Sequence, residues 1–374
     1  MKRSKLLLPL EPGLPATIAR SRFRAPSMKG LKPIRFSPFF TALLALAVMS
    51  VPRTVQAQQN WKAAVGGQSK DMGKQAVAFL PNELWIHAGD TITWTFASGD
   101  IHTVTFLTVG QVYPFDFTQG CPPISASGSS FDGSTCVSSA PSVTGQTFAV
   151  TFPKAGNYEI VCLVHLQMFG VIHVLELSET LPHDQAFYDD QAGEERRALL
   201  EDRDPHPPHG DHQHSVGDML SAGVISTTKD VTAGIGEIAA AAGGQEGLSV
   251  MRFFKSTVEI HAGATVEWTN LDPATGHTIT FGTEPTDLFN PSCSPSCTVK
   301  TDGDGALHAT ITGAGQNVHS GAIVALVEDE PGVPQGPVFP PTRFRITFTA
   351  AGTYNYICAF HDNLGMVGKV IVLP

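Results

Sequence analysis

Several features that mark common protein classes are scarce or missing in this chain. No glycine-rich phosphate loop stands before a helix, and strand and helix patterns do not alternate, which argues against the nucleotide-binding α/β folds. The apolar run at residues 39–49 is too short to span a bilayer comfortably. Charged residues make up only 16% of the 374 residues, whereas 36 Gly and 27 Pro favour β-structure with many turns.

Basic residues are also scarce outside the N-terminus. The formal net charge is −10, but the first 57 residues hold ten Lys and Arg and one acidic residue, Glu11. The remainder has 14 Lys and Arg against 33 Asp and Glu, a net charge of −19. Such an acidic protein repels nucleic acid and anionic membranes, so nucleic-acid binding is excluded and a basic protein partner is favoured.

The N-terminus resembles an export signal. Three basic residues between positions 29 and 35 precede the apolar run, and small residues at 55–57 offer a cleavage site before Gln58. Met28 would start a signal of ordinary length, so we expect a leader over 1–57 with a signal peptide over 28–57. An uncleaved anchor is the alternative. The mature protein would be periplasmic or extracellular, with no stable membrane insertion after cleavage.

The chain contains an internal repeat. Residues 79–94 match residues 253–268 at an offset of 174, which indicates two copies of one domain rather than a solenoid. Runs with period-two alternation, such as 91–96 and 344–349, are separated by Ala-Gly turns and predict all-β sandwiches. We expect one domain over 58–178, a linker over 179–222 and a second domain over 223–374.

The predicted linker is acidic and rich in His. Residues 194–203 could form a short charged helix. The Pro/His-rich segment 204–214 is expected to be a solvated hinge, and a loose divalent-ion site is the alternative.

Two loops carry the same three metal-binding residue types. Each has a Cys, a His three residues later and then a Met, and a matching His-Thr-Val-Thr-Phe or His-Thr-Ile-Thr-Phe segment lies upstream. One thiolate, two imidazoles and a weak thioether are the ligand set of a blue-copper electron-transfer site. The predicted metal ligands are His102, Cys162, His165 and Met168 in the first half, and His277, Cys358, His361 and Met366 in the second.

These residues give the chain a resemblance to the cupredoxins over roughly 61–177 and 224–374. The second loop, with four residues between His361 and Met366, resembles that of plastocyanin, and the first, with two between His165 and Met168, resembles that of amicyanin. The resemblance implies two tandem Greek-key β-sandwiches, each with one type 1 copper. It implies an electron carrier rather than an enzyme, with a redox protein as partner and with His165 and His361 reaching the surface as electron exits.

Related enzymes offer alternative functions. Multicopper oxidases and copper nitrite reductases contain the same domains and connect their blue copper to a catalytic copper through a His beside the ligand Cys. Here the two cysteines are flanked by Val161, Leu163, Ile357 and Ala359, and the one His-X-His sequence, at 212–214, lies in the linker. An oxidase or reductase is therefore disfavoured. Copper storage or delivery is the main alternative, although such proteins favour Met-rich or His-rich surfaces and the chain has 8 Met.

Four cysteines remain, two in each half. In an exported chain we expect the disulfides Cys121–Cys136 and Cys293–Cys297, because pairing within each half is the one arrangement of three that lets the halves fold independently. Free buried thiols are the alternative.

Overall fold

The computed structural model describes residues 57–111, 113, 121, 124–165, 167–201, 230–325 and 340–374. The predicted leader up to residue 56, the segment 204–214 and Leu166 in the first metal loop lie outside the described residues. The described residues form two β-regions joined by a region with one α-helix, which confirms the predicted fold class. Among them, no helix is long and apolar enough to cross a membrane.

The first half has the strands β1 (Asn60–Gln68), β2 (Lys74–Leu80), β3 (Glu83–His87), β4 (Thr91–Phe96), β5 (Thr105–Phe106), β6 (Ser129–Ser130), β7 (Val137–Ser138), β8 (Thr147–Thr151), β9 (Gly156–Val161) and β10 (Phe169–Leu175). One group of strands pairs in the order β2-β1-β4-β8-β6, and the other in the order β3-β10-β9-β5-β7. The pairing of β1 with β4 is parallel, as is that of β3 with β10.

The second half has the strands β11 (Asp230–Ala241), β12 (Gly244–Phe254), β13 (Thr257–His261), β14 (Thr265–Leu271), β15 (Thr280–Phe281), β16 (Ser292–Ser294), β17 (Lys300–Thr301), β18 (Leu307–Ile311), β19 (Asn317–His319), β20 (Arg343–Phe348), β21 (Gly352–Ile357) and β22 (Val367–Leu373). They pair in the orders β12-β11-β14-β20-β18-β17 and β13-β22-β21-β15-β19-β16. A 3-10 turn, Asp362–Leu364, lies before β22.

Each half encloses its own apolar core between its two groups of strands. In β4 the alternation places Ile92, Trp94 and Phe96 inside, at 0–1% exposure, and the threonines between them on the other face. Trp94 packs on Phe106 in the first core, and Trp268 packs on Phe281 in the second. Because burial of a large apolar side chain contributes about 1.5–3 kcal/mol, these alternating runs supply much of the driving force for folding.

The two halves share one continuous sheet. Strand β12 pairs antiparallel with β2 over four positions, from Gly247 opposite Val77 to Val250 opposite Lys74. These two strands are the second strands of their halves, so we call this pairing the seam. Arg252 strengthens the seam, because its guanidinium donates to Leu364 O (2.7 Å) in the second half and to the backbone O of residue 71 (3.0 Å) in the first.

A 17-residue helix, α1 (Gln185–Glu201), covers the outer face of β1 and β2. It begins nine residues before the charged helix that the sequence predicts at 194–203. Tyr188 is 1% exposed, and its hydroxyl accepts the N–H of Trp85 (2.9 Å) and donates to the Trp85 carbonyl (3.3 Å). The small side chains Ala76 and Ala78 lie beneath Leu199, so the helix can approach the sheet closely. The segment after the first half is therefore docked on it as far as residue 201.

Both predicted disulfides are present. Cys121 is bonded to Cys136 and Cys293 to Cys297, whereas Cys162 and Cys358 are free and buried. The two thiols assigned to metal are thus the two that do not form a disulfide.

Two carboxylates, the buried Glu246 and the half-buried Glu195, interact where α1 meets β12. Glu195 accepts the N–H of Asn82 (3.0 Å) and the amide of Gln191 (2.7 Å). Glu246 is 5% exposed, and its Oε2 has no hydrogen-bond partner among the described residues. Burial, and then the charge of Glu195, raises the pKa of Glu246 to about 8.

We expect Glu246→Gln to stabilise the protein at alkaline pH. Because the pKa of Glu246 is raised in the folded state, its contribution to stability is complete below its unfolded value of 4.5 and is lost as the pH rises to about 8. The variant should therefore increase the free energy of unfolding by roughly 1–3 kcal/mol at pH 8.5 and change it little near pH 4.5. Denaturant titrations across this range measure the difference.

The exposed Glu194 on the same helix gives a matched control, since Glu194→Gln should show no such pH-dependent gain. A stability difference between Glu246→Gln and the parent protein that stays constant with pH would contradict the expectation.

Candidate metal centres

The structure brings the predicted Cys and His residues together in two buried clusters. His102, Cys162 and His165 form the first, and the nitrogen and sulfur atoms that they offer lie within 4.8 Å of one another. The second is formed in the same way by His277, Cys358 and His361. All six side chains are at most 3% exposed.

The upstream His of each cluster is held by a two-way backbone bridge. His102 and Ser142 exchange both backbone hydrogen bonds at 2.9 Å, just before β5. His277 does the same with Ile323, at 2.9 and 2.8 Å, just before β15. Backbone hydrogen bonds therefore hold the main chain of each upstream His at the end of its sandwich, and the position of its ring follows from that.

The other residues of each cluster come from one loop that leaves the end of β9 or β21. The N–H of Cys162 donates to Met168 O (3.1 Å), and that of Cys358 to Met366 O (3.0 Å), so each loop closes with its Met beside its Cys. Both Met side chains are fully buried. In the second loop Gly365 takes the left-handed conformation (φ 89°) that ends the 3-10 turn.

The Nδ1 atoms of the four imidazoles face the sulfur atoms. Cys162 Sγ lies 4.0 Å from His102 Nδ1 and 3.6 Å from His165 Nδ1. Cys358 Sγ lies 3.9 Å from His277 Nδ1 and 3.3 Å from His361 Nδ1, and these two nitrogens are 3.2 Å apart. An ion with three in-plane bonds of about 2.0–2.3 Å holds its donors about 3.5 Å apart, so both clusters fit a single small metal ion.

The electrostatics of the clusters favour thiolates. Burial alone would raise the pKa of Cys162 and of Cys358, but the two imidazoles beside each sulfur hold both pKa values well below the ordinary value. A thiolate is the form of Cys that binds metal. Burial opposes the protonation of His165 and His361, yet the charges of Asp100 and of the thiolates raise the pKa of each to about 10. The carboxylate, the thiolates and the rings thus stabilise one another.

Backbone amides also reach the sulfur atoms. Thr103 N donates to Cys162 Sγ (3.4 Å), and Thr278 N donates to Cys358 Sγ (3.3 Å). In the second cluster the Thr278 hydroxyl lies 3.8 Å from the same sulfur as a further donor. In the first, the Thr103 hydroxyl instead accepts a hydrogen bond from Thr105 Oγ1 (3.1 Å).

The expectation that His165 and His361 reach the surface is wrong. They are 1% and 3% exposed, because the ends of the two sandwiches that carry the clusters face each other across the seam. The Nε2 atoms of both rings approach Asp100, His165 at 3.1 Å from Oδ2 and His361 at 3.4 Å from Oδ1. Both are charge contacts, and Asp100 Oδ2 has no hydrogen-bond partner among the described residues.

The upstream imidazoles have different surroundings. His277 Nε2 lies 3.3 Å from Asp272 Oδ2, whereas His102 Nε2 is buried with no partner among the described residues. Asp100 and Asp272 are absent from the ligand motif, and the alignment of the halves gives no sign of them, since each occurs in one half only.

Two glycines that the sequence motif does not reveal lie against these upstream rings. A Cβ on Gly66 would stand 2.7 Å from His102 Nε2, and one on Gly234 only 2.0 Å from His277 Nε2. Both have positive φ, 68° and 78°, at irregularities of β1 and β11. They are offset by 168 rather than 174 residues, so the repeat alignment does not pair them.

We expect Gly234→Ala to disrupt the second cluster without affecting the first. The new methyl group would displace the His277 ring, and the left-handed backbone would be strained by about 1–2 kcal/mol. Gly263→Ala is the matched control, because Gly263 also has positive φ (89°) but no atom within 4 Å of a new Cβ. Metal titration of both variants makes the comparison, and full metal binding in both would contradict the role assigned to Gly234.

A comparison with protein families also points to copper at these clusters. The model of the family described as copper binding proteins, plastocyanin/azurin family, matches residues 67–175 and 335–373. The first match includes all four predicted ligands of the first half, and the second includes Cys358, His361 and Met366. No curated protein matches the chain.

Solved structures with similarity to the chain include variants of amicyanin. A reduced amicyanin variant shares 21% identity, covering 31% of this chain and 82% of that chain at a TM-score of 0.21. A copper(I) form of another variant at pH 4 shares 21% identity, covering 32% of this chain and 87% of that chain at a TM-score of 0.22. The family match in both halves is the stronger finding, and by it the matched regions, residues 67–175 and 335–373, belong to the cupredoxins, the copper-binding family of plastocyanin and azurin.

Proposed function

We propose that this protein is an exported blue-copper protein that transfers single electrons through two type 1 copper sites, one in each half. The observation that carries the proposal is the duplicated, buried cluster of one thiolate and two Nδ1 atoms, with a buried Met beside each Cys. Such a ligand set suits both Cu(I) and Cu(II), so copper bound there would change oxidation state with little rearrangement.

The burial of the clusters supports electron transfer rather than catalysis on bound substrates. The cysteines and upstream histidines have no exposed surface, and the loop histidines have at most 3%. A catalytic metal keeps an open position for substrate, whereas a buried set of three strong donors and a Met leaves little room for one. The residues on either side of the cysteines are apolar and supply no His to connect a second copper.

The disulfides and the charge support the proposed location and partner. Disulfides persist in oxidising compartments, in keeping with export to the periplasm or the extracellular space after removal of the leader over 1–57, whose signal peptide spans 28–57. The net charge of −19 beyond residue 57 favours a basic redox protein as partner. The same charge disfavours nucleic acid and anionic membranes.

We expect the oxidised mature protein to bind two coppers and to be blue. Cys162→Ser and Cys358→Ser should each remove about half of the thiolate-to-copper absorption, because each removes one of the two thiolate ligands. Copper analysis and visible spectra measure this. The joint replacement of Cys121 and Cys136 by Ser is the control, since those sulfurs form a disulfide and the colour should stay.

Blue absorption that survives in the double variant of Cys162 and Cys358 would contradict the ligand assignment. Tight binding of copper without blue colour, in the parent protein, would favour copper storage or delivery instead.

We also expect the Thr278 hydroxyl to raise the potential of the second site above the value it would have without this donor. The Thr278 hydroxyl near Cys358 Sγ withdraws electron density from the sulfur and so favours the reduced form. Thr278→Val should lower that potential by tens of mV, given that about 60 mV corresponds to roughly 1.4 kcal/mol in a one-electron couple. Redox titration read against the single Cys→Ser variants separates the two sites.

Thr103→Val is the matched control for the potential. Both hydroxyls accept the N–H of the residue after the ligand Cys, from Leu163 at 2.8 Å and from Ala359 at 2.6 Å, so both variants lose that bond. If Thr103→Val changed the potential of the first site as much as Thr278→Val changes that of the second, the effect assigned to the Thr278 hydroxyl would be contradicted.

A further inference from the structure

One carboxylate lies between the two clusters. Asp100 is 3% exposed and touches the Nε2 edge of a ligand imidazole from each half, at 3.1 Å for His165 and 3.4 Å for His361. The Nδ1 atoms of the same rings, each joined to Nε2 through the one carbon Cε1, face Cys162 and Cys358. The route from one Nδ1 atom to the other runs through the two rings and the carboxylate. It is interrupted only by the two gaps between Nε2 and carboxylate oxygen, of 3.1 and 3.4 Å.

We infer that Asp100 positions both loop imidazoles, and that His165, Asp100 and His361 form a path for one electron between the two sites. The inference rests on the proposed function. One electron leaves the reduced site, which is oxidised by one unit, and enters the oxidised site, which is reduced by one unit. No proton is transferred, because each Nε2–H stays on its ring, and no outside reagent is needed.

The contacts of Asp100 show that its position is built rather than incidental. It lies in the loop after β4, where its N–H donates to Ser98 Oγ (3.1 Å) and its Oδ1 accepts Ile101 N–H (2.7 Å). Ser98 in turn donates to Gln75 Oε1 (2.6 Å) on the seam strand β2. A buried charge is costly unless it is paired, so the two rings are the partners that make a carboxylate tolerable at this place.

The neighbouring glycine permits the close approach of the two halves. A Cβ on Gly99 would lie 2.7 Å from Leu364 Cδ2, in the ligand loop of the second half. Gly99 N–H is also fixed by Gln68 Oε1 (2.8 Å). A side chain at this position would force the end of the Leu364 side chain to move.

A negative charge beside the Nε2 edge of a metal-bound His favours the tautomer that carries its proton on Nε2 and leaves Nδ1 for the metal. Here one carboxylate serves two rings, so it links the orientation of one site to that of the other. The offset of 175 that relates His102 to His277 places Thr275 opposite Asp100 in the repeat. Thr275 bonds to Ser249 Oγ (2.7 Å) instead, so the first half supplies a carboxylate at this position and the second half does not.

The test uses the copper-loaded full chain and the isosteric variant Asp100→Asn. Less than one electron per chain is delivered by a reductant pulse, and the concentration-independent relaxation between the sites is followed. Because outer contacts of metal-bound His commonly change activity by 10–100-fold, we expect this rate to fall by about tenfold or more. We also expect both midpoint potentials to rise, since a negative charge that stabilises the oxidised form at both sites is lost.

Asp272→Asn is the matched control. Asp272 is also a buried carboxylate at the Nε2 edge of a ligand ring, His277, but it contacts one site only. We expect this variant to raise the potential of the second site alone. If Asp100→Asn folds poorly, as shown by its circular dichroism and melting curve, Asp100→Glu keeps the charge and should keep both potentials near those of the parent.

The outcomes separate the path from the proposed function. A parent protein with two blue coppers, but an Asp100→Asn rate and potentials like those of the parent, would overturn the inference alone. Lower stability with an unchanged rate would show that Asp100 only holds the halves together, and would overturn the path. A parent protein that binds no copper, or that is not blue, would contradict the proposed function and the path with it.

Discussion

The backbone pairing of β12 with β2 is the constraint on which the rest of the structure depends. It joins two sandwiches that each have a complete core, and it turns the ends that carry their metal clusters towards each other. Arg252 and the close contact of Gly99 with Leu364 then fix the second ligand loop against the first half. A flexible linker alone could not produce that fit, because a loose hinge sets no fixed distance between the domains it joins.

The two halves have diverged where they meet. Each has a Cys and two His in the same cluster, a two-way backbone bridge at the upstream His, and a glycine with positive φ against the ring of that His. The surrounding carboxylates, by contrast, are distributed unevenly: Asp272 serves His277, Asp100 serves both loop histidines, and His102 has no partner among the described residues. Two carboxylates at the centre would repel each other in a medium of low polarity, which gives a physical reason for a single one.

Local patterns in the sequence predict much of this protein. The alternation in β4, the spacing of Cys358, His361 and Met366, and the repeat at 79–94 concern nearby residues, so they indicate strands, ligand loops and two similar halves directly. The burial of His165 and His361 could not be predicted, because it depends on a strand pairing between distant segments. The length of α1 was underestimated, since its first turns are held by contacts such as that of Tyr188 with Trp85 rather than by charge pattern.

The seam also covers one edge of β2 and one edge of β12. The strand β2 offers a stretch of apolar residues, from Ala76 to Leu80, that is entirely buried. Without β12 its outer row of backbone N–H and C=O groups would be open, and β12 would be open in the same way. Unpaired strand edges of this kind are templates for pairing with other chains. Each half therefore shields the other from aggregation, and this shielding would act on the two domains together whether or not any metal is bound.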